Sequence, residues 1–507
     1  MRVKKRMIAL MLCIVISFFG CTNNNSSKDI SSNKSGIIVK GKDGISSAGI
    51  SSEEASENTL SSVNESISGS SSLKPDSSST NSSRITSSVS TSSIRPSSSS
   101  RPSSTGSSSS PSSSGDTGTG YRPYNPSVMK AVWLSQFDMQ NVYRSGSSQR
   151  DKNSFTSLLR VILDNIVSDG FNTVIVQVRP YADSFYPSSY YPWSSYITGT
   201  AGKAASYDPF EIIVSEAHKR NLSVHAWINP LRGMTDDQLK TVDSGYAIKK
   251  WYNDSGKRGT LIVKMASDNR WYLNPAYPEV RKLIADGARE IAHKYDVDGV
   301  HIDDYFYPTT QTSFDDSAFS SYKNGGGTMG LSDWRRNNIT LVVKEIYNSV
   351  KAENQRLLFG VSPAGNINTV YDTHYADIYK WCGSSGYLDY ICPQVYFGFL
   401  HQTMDFVTVS NKWNSIVKLS SIRLVIGLTL GKAQTGEDAY AGSGRYEWAN
   451  NKDILKREIQ YLPNLSRCSG VAMFSYQLMY NPLTGIGALE TQQERANYVP
   501  ALKSYNG

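Results

Sequence analysis

Cysteine is scarce in this 507-residue chain: Cys13, Cys21, Cys382, Cys392 and Cys468 are all there are. No two have CxxC spacing and the last three are an odd number, which excludes a zinc knuckle and a disulfide framework. Histidine is nearly as rare. His218, His225, His293, His301, His374 and His401 include no pair at metal-ligand spacing, so no catalytic metal and no cofactor are expected. A GxSxG elbow and a phosphate-binding P-loop are missing, and with them serine-hydrolase and nucleotide chemistry. The net charge is +8, but Arg2, Lys4, Lys5 and Arg6 supply four of it. The remainder carries 48 basic against 44 acidic groups, or +4, too little for a nucleic-acid partner.

Only one long apolar run exists. Residues 7–19 follow the basic cluster and are interrupted only by Ser17, too short for an ordinary membrane span but right for a signal segment. The run ends in Ser17-Phe18-Phe19-Gly20-Cys21, which resembles a bacterial lipoprotein cleavage site: residues 1–20 would be removed and Cys21 lipidated. A simple secretory signal beside a chance cysteine is the alternative. Either way the expected location is extracytoplasmic, and on the first reading the protein is lipid-anchored at the cell membrane.

Aromatic residues are absent from 21–120, where 40 of 100 residues are serine. Such a segment buries too little apolar surface to offset the entropy of ordering it. It reads as a disordered Ser/Pro-rich linker, repeating Arg95-Pro96-Ser97 and Arg101-Pro102-Ser103 near its end. As a flexible chain it would span about 50–60 Å r.m.s.. A tether of that reach suits a target in the cell wall; an O-glycosylated spacer is the other reading.

From Tyr121 to the end at 507 the composition becomes that of a folded domain. Strand-like runs occur at 131–135, 173–178, 223–228, 299–303, 357–361, 390–395, 424–428 and 471–474, with helical periodicity between most of them. In 155–166, Phe155, Leu158, Leu159, Ile162 and Ile166 share a face; 209–218 and 280–295 behave alike. Eight such alternations predict an α/β fold, a (β/α)8 TIM barrel. A doubly wound sheet is the alternative, but no glycine-rich loop follows the first strand.

In a barrel the chemistry sits at the C-terminal strand ends. Those ends are rich in amides, carboxylates and aromatic rings, the groups that bind sugar hydroxyls and stack on sugar faces. The loop after the second strand adds Tyr186, Tyr190, Tyr191, Trp193 and Tyr196, either a carbohydrate cleft or a cover for the helices. The substrate-binding candidates are Arg179, Trp193, Trp227, Asn229, Asn274, His301, Tyr305, Gln394, Tyr396 and Gln477, with Arg179 equally a structural partner for an aspartate.

The fourth strand is the sharpest feature. Alternation turns His301, Asp303 and Tyr305 to one face, Val300 and Ile302 to the other, and so puts Asp303 in the barrel mouth. Asp304 follows directly. Adjacent carboxylates raise each other's proton affinity, which suits a general acid near neutral pH. No glutamate stands at any strand end, so the second carboxylate must come from Asp138, Asp183 or the Asp315/Asp316 pair. Asp183, close behind Arg179, is expected to be kept ionised by it and to act as base or nucleophile.

Trp133-Leu134, Val178-Arg179-Pro180, Pro192-Trp193-Ser194, residues 227–230 (WINP), 273–281 (LNPAYPEVR), 295–308 (YDVDGVHIDDYFYP) and 393–396 (PQVY) together form a specific pattern. Over nearly all of 128–500 the chain resembles the family-10-like bacterial glycosyl hydrolases, many of them lipoproteins. The resemblance implies a (β/α)8 barrel and an O-glycosyl hydrolase; some relatives act on peptidoglycan glycan strands, favouring strands stripped of stem peptides, and that polysaccharide is the expected partner. The fourth strand also invites comparison with chitinase-like barrels, but Tyr305 stands where their acid glutamate belongs. A substrate-assisted route, in which a 2-acetamido group attacks its own anomeric carbon, is compatible with wall glycans. Two other readings stay open: a barrel that binds glycan without cleaving it and ties wall to membrane, and a glycosidase for an exogenous polysaccharide.

Overall fold

The computed structural model describes residues 120–507; the signal segment, Cys21 and the serine-rich linker lie outside the described residues. Eight parallel strands close into a barrel: β1 (Met129–Leu134), β2 (Thr173–Arg179), β3 (Ser223–Ile228), β4 (Gly299–Ile302), β5 (Leu358–Val361), β6 (Tyr390–Ile391), β7 (Arg423–Thr429) and β8 (Cys468–Phe474). Each strand pairs with its sequence neighbours, and β1 closes against β8. All eight expected runs are strands, and the three expected helices occur as Lys152–Asp169, Pro209–His218 and Pro278–Lys294.

Local signals place the helices. Asp151 and Asp208 accept hydrogen bonds from first-turn N–H groups, and Pro209 and Pro278 open their helices where no N–H is needed. The residues of β4 that alternate outward, Val300 and Ile302, join Ile284, Ile291 and Val343 in the layer between barrel and helices. Those that alternate inward meet a second, smaller cluster inside the barrel, which includes Trp133, Ile175, Trp227 and Tyr390. Gly360 is required there: a Cβ would lie 1.9 Å from Tyr390 Cζ. The room it leaves lets the Tyr390 hydroxyl reach His225 Nδ1 at 2.9 Å and His301 Nδ1 at 2.8 Å.

An antiparallel three-stranded sheet interrupts the pattern after β3. Arg232–Thr235 pairs with Arg270–Leu273, which pairs with Ile262–Met265. It brings two arginines to the C-terminal end of the barrel. After β4 the loop is clamped by a buried ion pair, Arg335 with Asp315, whose guanidinium also donates to the carbonyl oxygens of Thr310 and Gln311.

Candidate active site

Asp303 follows β4 directly and is 4 % exposed. Asn229, just past the end of β3, donates from Nδ2 to Asp303 Oδ2 at 2.6 Å. Asn229 Oδ1 in turn accepts from Gln177 Nε2 at 2.7 Å, and Gln177 Oε1 accepts the backbone N–H of Gln136 at 2.8 Å. Because the relay begins at a backbone donor, the orientation of both amides is determined chemically. Oδ2 of Asp303 is therefore an acceptor held at 2.6 Å, and Oδ1, met only by the Tyr305 N–H at 3.4 Å, is the freer oxygen to carry a proton. Burial, reinforced by the adjacent charge of Asp304, pushes the Asp303 pKa up to about 8, although Arg232 pulls the other way. This is an acid that keeps its proton at neutral pH. Asp304 is equally buried and acts electrostatically on His374, opposing the burial that lowers that imidazole.

Below the acid, the His225, Tyr390 and His301 side chains form a buried support. All three are wholly buried, and burial holds both imidazoles neutral. His301 is thus placed beneath the mouth, with Trp133 edge-on at 6.0 Å, and its ring is not exposed to a ligand. Trp227 shares that interior, 6 % exposed. Tyr305 lies at the mouth, its ring 3.9 Å from the Arg232 guanidinium. Burial and the neighbouring carboxylates raise its phenol further, so Tyr305 is no acid.

Other expected residues are placed elsewhere. Arg179 does not pair with Asp183. A register irregularity between Gln177 and Arg179 turns the arginine outward, where it stacks 4.3 Å over Tyr191 and packs against Gly287 of the Pro278–Lys294 helix. Asp183 is buried, accepts the Tyr181 N–H at 2.8 Å, and has Arg270 as its cationic neighbour. Burial raises its pKa rather than the expected arginine lowering it. Tyr186 and Tyr191 cover the helices, while Trp193 and Tyr196 stay half-buried. Asn274 spends its amide on loop carbonyls, donating to Thr260 at 3.1 Å and Phe314 at 3.4 Å. Gln394 donates to the Ser362 carbonyl at 3.1 Å, Tyr396 packs on Phe474, and Gln477 is exposed beyond β8.

The alternatives for a second carboxylate are occupied. Asp138 caps the helix after β1 and accepts from Ser135, Ser475 and the Gln477 N–H; Asp315 is held by Arg335; Asp316 sits in the first turn of an exposed helix. Asp304 is the carboxyl left beside Asp303. Sequence reasoning passed over Gln177, Arg232, Arg270 and His374. Inward alternation with Ile175 was the signal for Gln177; nothing local marks the other three, which arrive from separate loops.

Residues 128–440, more than half of the chain, match the family model described as glycosyl hydrolase-like 10. Glycosyl hydrolase YngK of Bacillus subtilis is 33% identical over 376 residues, 70% of this chain and 69% of that one. Glycosyl hydrolase DigH of Escherichia coli K12 is 30% identical over 382 residues, 70% and 84% of the two chains. Among solved structures, the PgaB (BpsB) glycoside hydrolase domain of Bordetella bronchiseptica has a TM-score of 0.48 at 10% identity, covering 73% of this chain and 99% of that domain. By its matched length and its curated relatives, this barrel chain belongs to the glycosyl hydrolase-like 10 family and is a glycosidase.

Proposed function

We propose that this protein hydrolyses glycosidic bonds in the glycan strands of peptidoglycan, with Asp303 as the essential carboxyl. The observation that carries this reading is a buried acid at the end of β4 whose pKa is pushed up to about 8 and whose proton is directed to Oδ1 by the Gln177–Asn229 relay. Oδ1 gives that proton to the leaving glycosidic oxygen, and Asp304 supplies negative charge to the oxocarbenium-like transition state. With Asp138, Asp183 and Asp315 tied to their own partners, the arrangement favours the substrate-assisted route. The acetamido oxygen attacks C1, the C1–O bond breaks as the leaving oxygen takes the proton, and water opens the resulting ring.

The test is digestion of isolated glycan strands, followed by mass spectrometry of the new reducing ends. Soluble fragments should appear with the wild type and vanish with Asp303→Asn and Asp304→Asn, while strands freed of their N-acetyl groups should resist. Fragments made equally well by Asp303→Asn would sink the assignment. We further propose that residues 1–20 are a signal peptide, that Cys21 carries the lipid, and that the serine-rich linker lets residues 121–507 reach the wall. Cys21→Ser should then move the protein from the membrane fraction to the soluble one.

A further inference from the structure

Arg232 stands three residues beyond Asn229, and its guanidinium lies between two rings, 3.9 Å from Tyr305 and 4.7 Å from Tyr181. Arg270 stacks on Tyr181 as well, at 3.7 Å. Stacking fixes the plane of a guanidinium without using its N–H donors. Arg270 Nη1 donates to the Gly233 carbonyl oxygen at 3.4 Å and to Gln238 Oε1 at 3.3 Å. Arg232 has the Tyr272 phenol as a hydrogen-bond partner, which leaves donors of Arg232 for a planar acceptor. Arg335, Arg281 and Arg495 each have a carboxylate in contact, Asp315, Glu345 and Asp169, whereas Arg179, stacked on Tyr191 in the helix layer away from the barrel mouth, is buried without one. Among the described residues no carboxylate lies within ion-pair distance of Arg232, and its Nε is buried without a hydrogen-bond partner. Holding a cation there without a counter-ion is costly. Nor does the cation serve the acid, since its field lowers the Asp303 pKa that burial raises.

We infer that Arg232, backed by Arg270, is a subsite for a carboxylate carried by the sugar bound next to Asp303. The substrate then supplies the missing counter-ion through a bidentate contact with the guanidinium fork. The inference rests on the glycan reading above and names what it would select: an acidic rather than a neutral glycan. A lactyl ether on an amino sugar and the C6 carboxylate of a uronic acid share this chemistry.

The experiment uses the full chain and two matched pairs of oligosaccharides. One alternates N-acetylglucosamine with N-acetylmuramic acid, its lactyl groups free or capped as methylamides. The other alternates N-acetylglucosamine with glucuronic acid, free or methylamidated. The readouts are the free-to-capped ratio of kcat/KM for the wild type, Arg232→Gln and Arg232→Lys, and the same ratio of Kd with Asp303→Asn as the background. The wild type should prefer a free carboxylate by about 10–100-fold. Arg232→Gln should reduce the preference to within about threefold of unity, and Arg232→Lys, which keeps the charge but loses the fork, should fall between. Ratios are compared within each protein, so a general loss of activity does not mimic the effect. A preference confined to one pair supports the subsite and identifies the sugar. A wild-type ratio near one for both pairs, or an unchanged preference in Arg232→Gln, overturns the inference. If no strand is cleaved the glycan reading fails, and the Kd ratios still decide whether Arg232 reads a carboxylate.

Discussion

Replacing Asp303 by Asn should abolish turnover and yet make the protein more stable. The carboxyl is buried, and its pKa stands near 8 rather than at the ordinary 3.8. A carboxyl that binds its proton more tightly when folded than when unfolded opposes folding at any pH where the unfolded chain would ionise it. Below about pH 4 both states are protonated and the contribution is absent. It grows through the window between the two values and levels off above pH 8. At pH 7 the span above 3.8 corresponds to about 4 kcal/mol, part of which is the repulsion from Asp304 that the amide also removes. Asn keeps the acceptor for Asn229 Nδ2, but its own N–H groups face the Tyr305 N–H side, where Oδ1 now lies 3.4 Å away. We therefore expect a gain of about 2–4 kcal/mol. For a folded region of this size the unfolding entropy is on the order of 0.8 kcal/mol/K, so Tm should rise by about 3–5 °C at pH 7. Calorimetry of the wild type and Asp303→Asn at pH 4, 5.5, 7 and 8.5 provides the assay. The difference should be near zero at pH 4 and increase to pH 8.5. A difference independent of pH, or a variant less stable than the wild type at pH 8.5, would refute the electrostatic reasoning.

The hydrolytic rate should fall as pH rises through about 8, where Asp303 loses the proton it donates; a pH–rate profile with no descending limb near that value speaks against its role as acid. Gln177→Leu breaks the relay and frees Asn229 to rotate, so kcat should drop by about 10–100-fold with little change in KM, which steady-state kinetics on glycan strands will show. Gly360→Ala drives a methyl into the Tyr390 ring and should cost about 3 kcal/mol in chemical denaturation. Asp315→Asn leaves the Arg335 guanidinium buried without its counter-charge, and a loss of about 3–5 kcal/mol is expected in the same measurement.

Much of the barrel was legible because its signals are local. A strand buried on both faces reads as a short apolar run, and each of the eight was found within a few residues of its place. The alternation of β4 assigned Val300 and Ile302 to the helices and Asp303 to the mouth, since successive side chains point to opposite faces. The same rule applied to β2 puts Gln177 and Arg179 together on the inward face, and it holds for Gln177 but fails for Arg179. The register irregularity that turns Arg179 outward has no signature in Gln177-Val178-Arg179-Pro180.

What the sequence determined by itself is the repeated βα pattern, the carboxyl pair Asp303-Asp304, and the absence of a strand-end glutamate to accompany it. Tertiary structure decided which polar groups reach that pair. Asn229 comes from β3, Gln177 from β2, Arg232 and Arg270 from an antiparallel sheet that no local pattern announced, and His374 from the segment beyond β5. It also decided that Asp138, Asp183 and Asp315 are spent on caps, loops and an ion pair. The physical reason is that a side chain's direction along a strand follows from backbone geometry alone. Its partners depend on which distant loops close over it, and its proton affinity depends on how completely they exclude water.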